Sequence, residues 1–215
     1  MFTTFLFDLD GTLSDSARGI INAAVYALNK LDRPVPEYPV LRKFLGPPLW
    51  ESFEKFTAMD HNDACKAVDI YREYYREKGL FENELYDGIP QLLQTLKARG
   101  CTLGVATSKP EIFSQRILAH FGIDGYFNTI TGALLDGSRK EKGEIIALAL
   151  QRLKITDKSS VLMVGDRSHD ILGAKSQGIA CAAVLYGYGS AQEFEECGAD
   201  YIVESPMDIA QLGGE

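Results

Sequence analysis

The chain has 215 residues, 46% hydrophobic and 24% charged, with a formal net charge of -8. Such values suit a soluble globular protein built as one large domain or as a domain with a sizeable insert. The acidic balance has no Lys/Arg run to offset it, which speaks against a nucleic acid polymer or an anionic membrane as the main partner. A small anionic ligand stays open, since it needs only a local positive pocket.

The opening MFTTFLFDLD lacks a basic n-region, and acidic groups interrupt its apolar run, so no signal peptide is expected. No stretch reaches the length of a membrane span. Residues 5–7, FLF, read as a buried strand, and Asp8 and Asp10 follow where that strand would emerge, just before Gly11-Thr12 turns the chain. Two carboxylates so close repel each other and are costly to desolvate without a partner.

From Ser16 to about Phe81 no strand signal occurs, over about 65 residues, too long for an ordinary loop. SARGIINAAVYALNKL has the spacing of an amphipathic helix. LRKFLGPPLWESFEKF reads as two helices hinged at Gly46-Pro47-Pro48, and NDACKAVDIYREYYREKG as a third long helix ending at Gly79. Tyr71, Tyr74 and Tyr75 are expected on a packed face of that helix, beside a solvated charged face. An all-helical domain over 16–81 is therefore expected, inserted into a core formed by 1–15 and 82–215.

Strand patterns then alternate with helical ones: TLGVAT at 102–107, TIT at 129–131, VLMVGD at 161–166, ACAAVL at 180–185 and YIV at 201–203. PQLLQTLKARG, PEIFSQRILAHFG, GEIIALALQRLKI and SHDILGAKSQG supply the helices, with Pro110 expected at the first helical position. The order implies an α/β fold, a doubly wound and mostly parallel sheet with helices on both faces. Cys65, Cys101, Cys181 and Cys197 are scattered without a CxxC pair. Cys101 and Cys181 open apolar runs and are expected as buried thiols. Neither a disulfide nor a zinc site is indicated, so a cytoplasmic location is expected.

Ligands of doubly wound sheets bind outside the carboxyl ends of the strands. Those ends carry Asp8 and Asp10, then Thr107-Ser108-Lys109, then Gly165-Asp166 with Asp170 four residues on, while Lys140 and Lys142 precede a helix. Phosphoryl transfer through an aspartyl-phosphate needs this set of groups. A carboxylate attacks phosphorus, Mg²⁺ offsets its repulsion from the anionic substrate, and oxygen ligands hold the metal. Hydroxyl and amide donors and a lysine hold the phosphoryl oxygens. A second carboxylate protonates the leaving alkoxide and then activates water.

DLDGT at 8–12, the strand ending in Thr107, the lysine near 142 and GDRSHD at 165–170 resemble, in order, the four motifs of the haloacid dehalogenase superfamily in its phosphatase branch. The helical insert is similar to that superfamily's C1 cap, and the resemblance covers nearly the whole chain. It implies Asp8 as nucleophile and metal ligand, and Asp10 as general acid/base with its backbone carbonyl on the metal. It further implies Thr107, the Ser108 amide and the Leu9 backbone N–H on phosphate, Asp166 as a metal ligand, and Asp170 in the metal's outer shell or reaching it through water. SRKEKGEII departs from the lysine-proline pair common in relatives. Lys142 is favoured as the motif lysine because it starts a helix, and Lys140 stays open. Asp170 could equally cap its helix, and Asp8 taken alone could cap a turn. His169 reads as a surface or supporting group, and Asp15-Ser16 as the start of the first insert helix.

The resemblance is nearest to phosphoglycolate-phosphatase-like enzymes, and RKFLGPPLWESF is similar to members described as 5'-nucleotidases. The function implied is Mg²⁺-dependent hydrolysis of a small phosphate monoester, of the phosphoglycolate or nucleoside 5'-monophosphate type. The partner implied is a small phosphorylated metabolite, with neither nucleic acid nor membrane, in a monomer or weak homodimer. A phosphomutase of the β-phosphoglucomutase type would share all four motifs and differ in product. A non-catalytic phosphate-binding regulator would have lost a charged residue, and a dehalogenase proper would lack Asp10. Arg42 and Lys43 precede the FLGPP break. They are expected either to reach the non-phosphate end of an anionic substrate or to be solvated charges, with Trp50 and Phe53 next in line.

Overall fold

Thr4–Phe7 form strand β1, buried at all four positions, which is how a central strand covered on both faces must read. A computed structural model describes residues 1–136, 138–139 and 141–214. They form two compact units, Met1–Asp15 with Leu85–Glu215, and Ser16–Glu84. Strand β2, Ser14–Asp15, ends the first segment of the first unit.

The second unit is helical. Helix α1 (Ala17–Lys30) follows Ser16 as its N-cap residue, and it buries Ile20, Ala24 and Leu28 along one stripe. Helix α2 (Tyr38–Leu41) passes into a 3₁₀ turn at Arg42–Phe44, and α3 (Leu49–Thr57) starts after Pro48. The expected hinge falls between them, where Gly46 has φ 105°, a conformation a Cβ would disfavour. Helix α4 (His61–Tyr74) is capped by Asp60, whose carboxylate accepts from the Asp63 N–H, and its last turn, Tyr75–Gly79, is wound as π-helix. Tyr71 and Tyr75 are buried and stacked with ring centroids 5.3 Å apart, so they belong to the packed face.

The chain returns through β3 (Glu84–Leu85), which forms a two-stranded sheet with β2. In the first unit follow α5 (Ile89–Ala98), β4 (Thr102–Pro110), α6 (Glu111–His120), β5 (Thr129–Ala133) and α7 (Lys142–Arg152). Then come β6 (Val161–Gly165), α8 (Ser168–Gln177), β7 (Ala180–Val184), α9 (Ala191–Cys197), β8 (Tyr201–Val203) and α10 (Pro206–Leu212). Six strands make one sheet in the order β5-β4-β1-β6-β7-β8, and all its pairs are parallel. This is the expected doubly wound architecture. Leu6, Met163 and Cys181 of the sheet pack with Ile145, Ile146, Ile171 and Phe194 of the helices, all buried.

Two local features depart from expectation. Strand β4 runs three residues beyond Thr107, and its register against β5 shifts between Thr107 and Pro110. Pro110 consequently keeps an extended backbone (φ -54°, ψ 130°) and is the N-cap of α6 instead of its first helical residue. Among the described residues, no helix is long and apolar enough to cross a membrane. Cys101 and Cys181 are buried, and all four cysteines are free thiols.

Candidate active site

The central place of β1 puts its carboxyl end beside those of β4 and β6. Asp8 continues the ladder one residue past β1, its N–H donating to the Val164 carbonyl at 2.9 Å. The Leu9 carbonyl then accepts from the N–H groups of Thr12, Leu13 and Ser14, which folds the DLDGT segment into a tight loop. Gly11 sits in that loop at φ 82°, and a Cβ on it would stand 2.1 Å from Asp166 Oδ2. Only glycine lets the first loop approach the end of β6 so closely.

Lys142, the first residue of α7, reaches back under the sheet edge. Its Nζ lies 3.0 Å from Asp8 Oδ1 and 2.7 Å from Asp170 Oδ1, and it donates to the Ala106 carbonyl at 3.1 Å. Asp170 is the third residue of α8, and its Oδ2 accepts from the Arg167 N–H at 3.1 Å, so it caps the helix and pairs with the lysine at once. Asp166 follows β6 directly. Thr12 donates to its Oδ1 at 3.4 Å, a weak contact, and the Tyr188 N–H donates to its Oδ2 at 2.8 Å. One oxygen each of Asp8, Asp166 and Asp170 falls within 4.8 Å of the others.

The electrostatics of the cluster are unbalanced. Three carboxylates are buried together, and one ammonium, that of Lys142, pairs with two of them. Burial pushes the Asp8 carboxyl up from its usual range, Lys142 partly offsets this, and Asp170 adds to it. Asp166 is driven well above its usual range by burial and then by Asp170 and Asp8. Burial alone would lower Lys142, but Asp170 and Asp8 outweigh it and raise its affinity for the proton. Asp8 Oδ1 and Asp170 Oδ1 are buried without an aligned hydrogen bond, although both are at ion-pair distance from Lys142. The contacts are therefore charge pairing, with lone pairs left over. Carboxylate oxygens with lone pairs left over and excess negative charge together fit a hard divalent cation such as Mg²⁺.

Asp10 is half-buried, and both its carboxylate oxygens contact Lys109 Nζ, at 2.8 and 2.6 Å. Thr107 is buried at the end of the regular part of β4, and its hydroxyl accepts from the Lys109 N–H at 3.2 Å. Ser108 is exposed, between the buried Thr107 and Lys109. The side chain of Leu9 is buried, so only its backbone could serve a ligand in the loop. His169 is exposed. Arg42 and Lys43 are exposed on the 3₁₀ turn of the helical unit, where Lys43 Nζ lies 5.8 Å from the Phe56 ring centre. Lys140, the alternative motif lysine, lies outside the described residues.

Three contacts of the site are not legible in the sequence. Lys109 is visible there only as an amine near Thr107, since its reach to Asp10 depends on the shifted end of β4. Thr12 and the loop after β7 were not singled out as holders of Asp166. In that loop, a Cβ on Gly187 would stand 2.3 Å from Asp166 Cβ, so the glycines of YGYG at 186–189 were the available signal.

A family model described as haloacid dehalogenase-like hydrolase matches residues 5–184. The chain is 45% identical over 192 residues to a 5'-nucleotidase of Pseudomonas aeruginosa, a match covering 89% of this chain and 86% of that protein. It is 46% identical over 187 residues to the tyrosine-protein kinase PtkA of Mycobacterium tuberculosis, covering 86% of this chain and 63% of that protein, less than two thirds of the relative's length. A solved structure of a predicted phosphatase from Clostridium acetobutylicum superposes with a TM-score of 0.91 at 44% identity, over 99% of this chain and 98% of the other.

Proposed function

The chain belongs to the haloacid dehalogenase-like hydrolase family and is a phosphoric monoester hydrolase, and we propose that it works through an aspartyl-phosphate on Asp8 with Mg²⁺ as cofactor. The observation that carries this reading is the cluster of Asp8, Asp166 and Asp170, two of them paired with Lys142, with Asp10 two residues after Asp8.

Asp8, Asp166 and the Asp10 backbone carbonyl would hold the metal, with Asp170 as an outer or water-mediated ligand. When bound, it supplies positive charge that offsets the repulsion between Asp8 and an anionic phosphate. An Asp8 oxygen attacks phosphorus while the bond from phosphorus to the alkoxide breaks. The Asp10 carboxyl gives its proton to that alkoxide. In the second half, the Asp10 carboxylate takes a proton from water as the water oxygen bonds phosphorus. The bond to Asp8 then breaks, which frees phosphate and restores Asp8. Thr107, the Ser108 and Leu9 N–H groups and Lys142 hold the other phosphoryl oxygens, so the charge developing on them meets preset donors.

The unit Ser16–Glu84 takes the role of a helical cap, with Arg42 and Lys43 offered to the non-phosphate end of the substrate. The substrate class is a small phosphate monoester of the phosphoglycolate or nucleoside 5'-monophosphate type. The name of the Pseudomonas relative supports the second of these. The test is phosphate release over a panel of monoesters, using metal-stripped protein with and without Mg²⁺. Release confined to the Mg²⁺ arm is expected. Full turnover without metal would refute the mechanism, and an isomerised ester in place of free phosphate would mark a phosphomutase.

A further inference from the structure

We infer that Lys109 is a positioning residue for Asp10, acting on acid/base catalysis through that carboxylate and not through the substrate. This rests on the proposed role of Asp10.

The geometry is specific. Lys109 Nζ contacts both oxygens of Asp10, at 2.8 and 2.6 Å, and 95% of the lysine side chain is removed from solvent. Two contacts from one ammonium hold the carboxylate end of Asp10 in place and leave it free to turn about its own bond. Asp10 follows the last strand residue by three positions, in a loop, and 24% of its side chain is exposed. A side chain so placed needs an external anchor to hold one rotamer, because exposed staggered wells differ little in energy. The anchor itself is rigid. The Lys109 N–H donates to the Thr107 hydroxyl, so the shifted end of β4 keeps Lys109 beside Thr107.

The neighbouring strand is shaped around this bend. A Cβ on Gly132 of β5 would stand 2.5 Å from the Lys109 carbonyl oxygen and 2.7 Å from the Glu111 backbone. The Gly132 N–H instead donates to Glu111 Oε2 at 3.2 Å, and Arg139 and Arg152 each reach the same oxygen at 3.1 Å. Two strands and the start of α6 thus clamp the segment that aims Lys109. An ordinary strand end would need no such clamp.

Anchored this way, Asp10 must do two opposite things, give a proton to the alkoxide and later take one from water. Rotation of the carboxylate about its own bond exchanges which oxygen faces the reaction while the other stays on Lys109. An unanchored carboxylate would reach both geometries less often, and a misplaced catalytic group slows the step it serves.

The test is a double-mutant cycle on the full chain with Mg²⁺, read as kcat and KM separately. The probes are β-glycerophosphate, whose alkoxide is a poor leaving group, and p-nitrophenyl phosphate, whose phenolate leaves without a proton. Lys109→Met keeps the length of the side chain and removes the charge. It is expected to lower kcat on β-glycerophosphate by roughly 100-fold, within the range for general acid/base groups, with KM changed little. The initial phosphate-transfer burst with p-nitrophenyl phosphate should be spared, while its steady rate, limited by hydrolysis of the phosphoenzyme, falls. In an Asp10→Asn background the same change should cost less than about twofold, since its target is gone. Lys109→Arg should restore part of the loss. An equal loss with and without Asp10, or a loss confined to KM, would overturn the inference and make Lys109 a substrate-binding residue. An Asp8→Asn protein run alongside separates the two readings. Turnover surviving in it sinks the Asp8 mechanism, while coupling between Lys109 and Asp10 is still judged by the cycle. Thermal melts of each variant show whether a loss is one of folding.

Discussion

Asp166 is held by a hydroxyl and an amide, and the cluster around it has more carboxylates than ammonium groups. Its raised proton affinity in the fold has a defined sign for stability. Above the ordinary value of 3.8 the unfolded carboxyl has lost its proton while the folded one retains it, so stability falls as pH rises through that window. The metal-free protein is therefore expected to melt progressively lower as pH rises above 3.8. Asp166→Asn should flatten that slope. Mg²⁺ at about a hundred times its Kd would stabilise by about 2.7 kcal/mol, or roughly 5–10 °C for a chain of this size. The shift should vanish in Asp166→Asn, and a melt series over pH and Mg²⁺ checks both parts. At Asp8 the expectation is kinetic. Asp8→Asn removes the nucleophile but little volume, so turnover should fall by at least ~10³-fold while the fold persists. Beryllium fluoride, a mimic of the aspartyl-phosphate, should inhibit the wild type and bind this variant poorly. A variant that kept most of its rate would show that another residue attacks.

Helices α7 and α8 meet where Lys142 must thread between them, and Gly173 makes room. A Cβ there would stand 2.7 Å from Lys142 Cγ, 3.0 Å from its Cβ and 3.2 Å from the Gly143 N–H nitrogen. Two effects compete in Gly173→Ala. Alanine gains about 1 kcal/mol of helix propensity over glycine. Overpacking of a tight contact costs about 1–3 kcal/mol, and the stem of Lys142 is fixed at its far end by Asp8 and Asp170. Overpacking should win. The variant is expected to melt lower and to lose kcat, because any relief moves the ammonium away from Asp8. Equal or raised stability with full activity would mean that the two helices can part without disturbing the site. Asp170 matters at the same scale, since its two oxygens tie the start of α8 to the start of α7.

For the whole molecule, the open question is what the helical unit contributes. Ser14–Asp15 and Glu84–Leu85 pair as β2 and β3, so the chain leaves and re-enters the sheet-bearing unit at one place. The helical unit packs on its own stripe of apolar residues, among them Ile20, Ala24 and Leu28 of α1. If it selects substrate, Arg42→Ala or Lys43→Ala should lower kcat/KM for the best natural monoester by roughly ten- to a hundredfold. That is the loss of a charge-assisted contact of ~1.5–3 kcal/mol. A generic aryl phosphate should be little affected. Equal losses on both would place the two residues in cap stability or motion, and no loss on either would shift attention to the exposed Trp50, since Phe53 is fully buried against Phe44.

The amino-acid sequence alone determined everything that depends on local pattern. The buried run of β1 followed by Asp8, the βα alternation and the 65-odd residues without strand signal were all legible, because periodicity and turn chemistry act over a few neighbours. So was the place of Lys142 at the start of a helix. The tertiary structure decided the pairings. Lys109 is 99 positions from Asp10, and Thr12 is 154 from Asp166. No periodicity links residues so far apart, and only the parallel order β4-β1-β6 brings their strand ends together. Asp170 shows the division most clearly. As a helix cap and as a partner of the site it reads the same in sequence, and the fold makes it both, because one carboxylate oxygen meets the Arg167 N–H while the other meets Lys142. Pro110 went the other way. Its local preference pointed to the first turn of α6, but pairing with β5 carried the strand through it. The ladder and its bulge outweighed the propensity of a single residue, and so aimed Lys109 at Asp10.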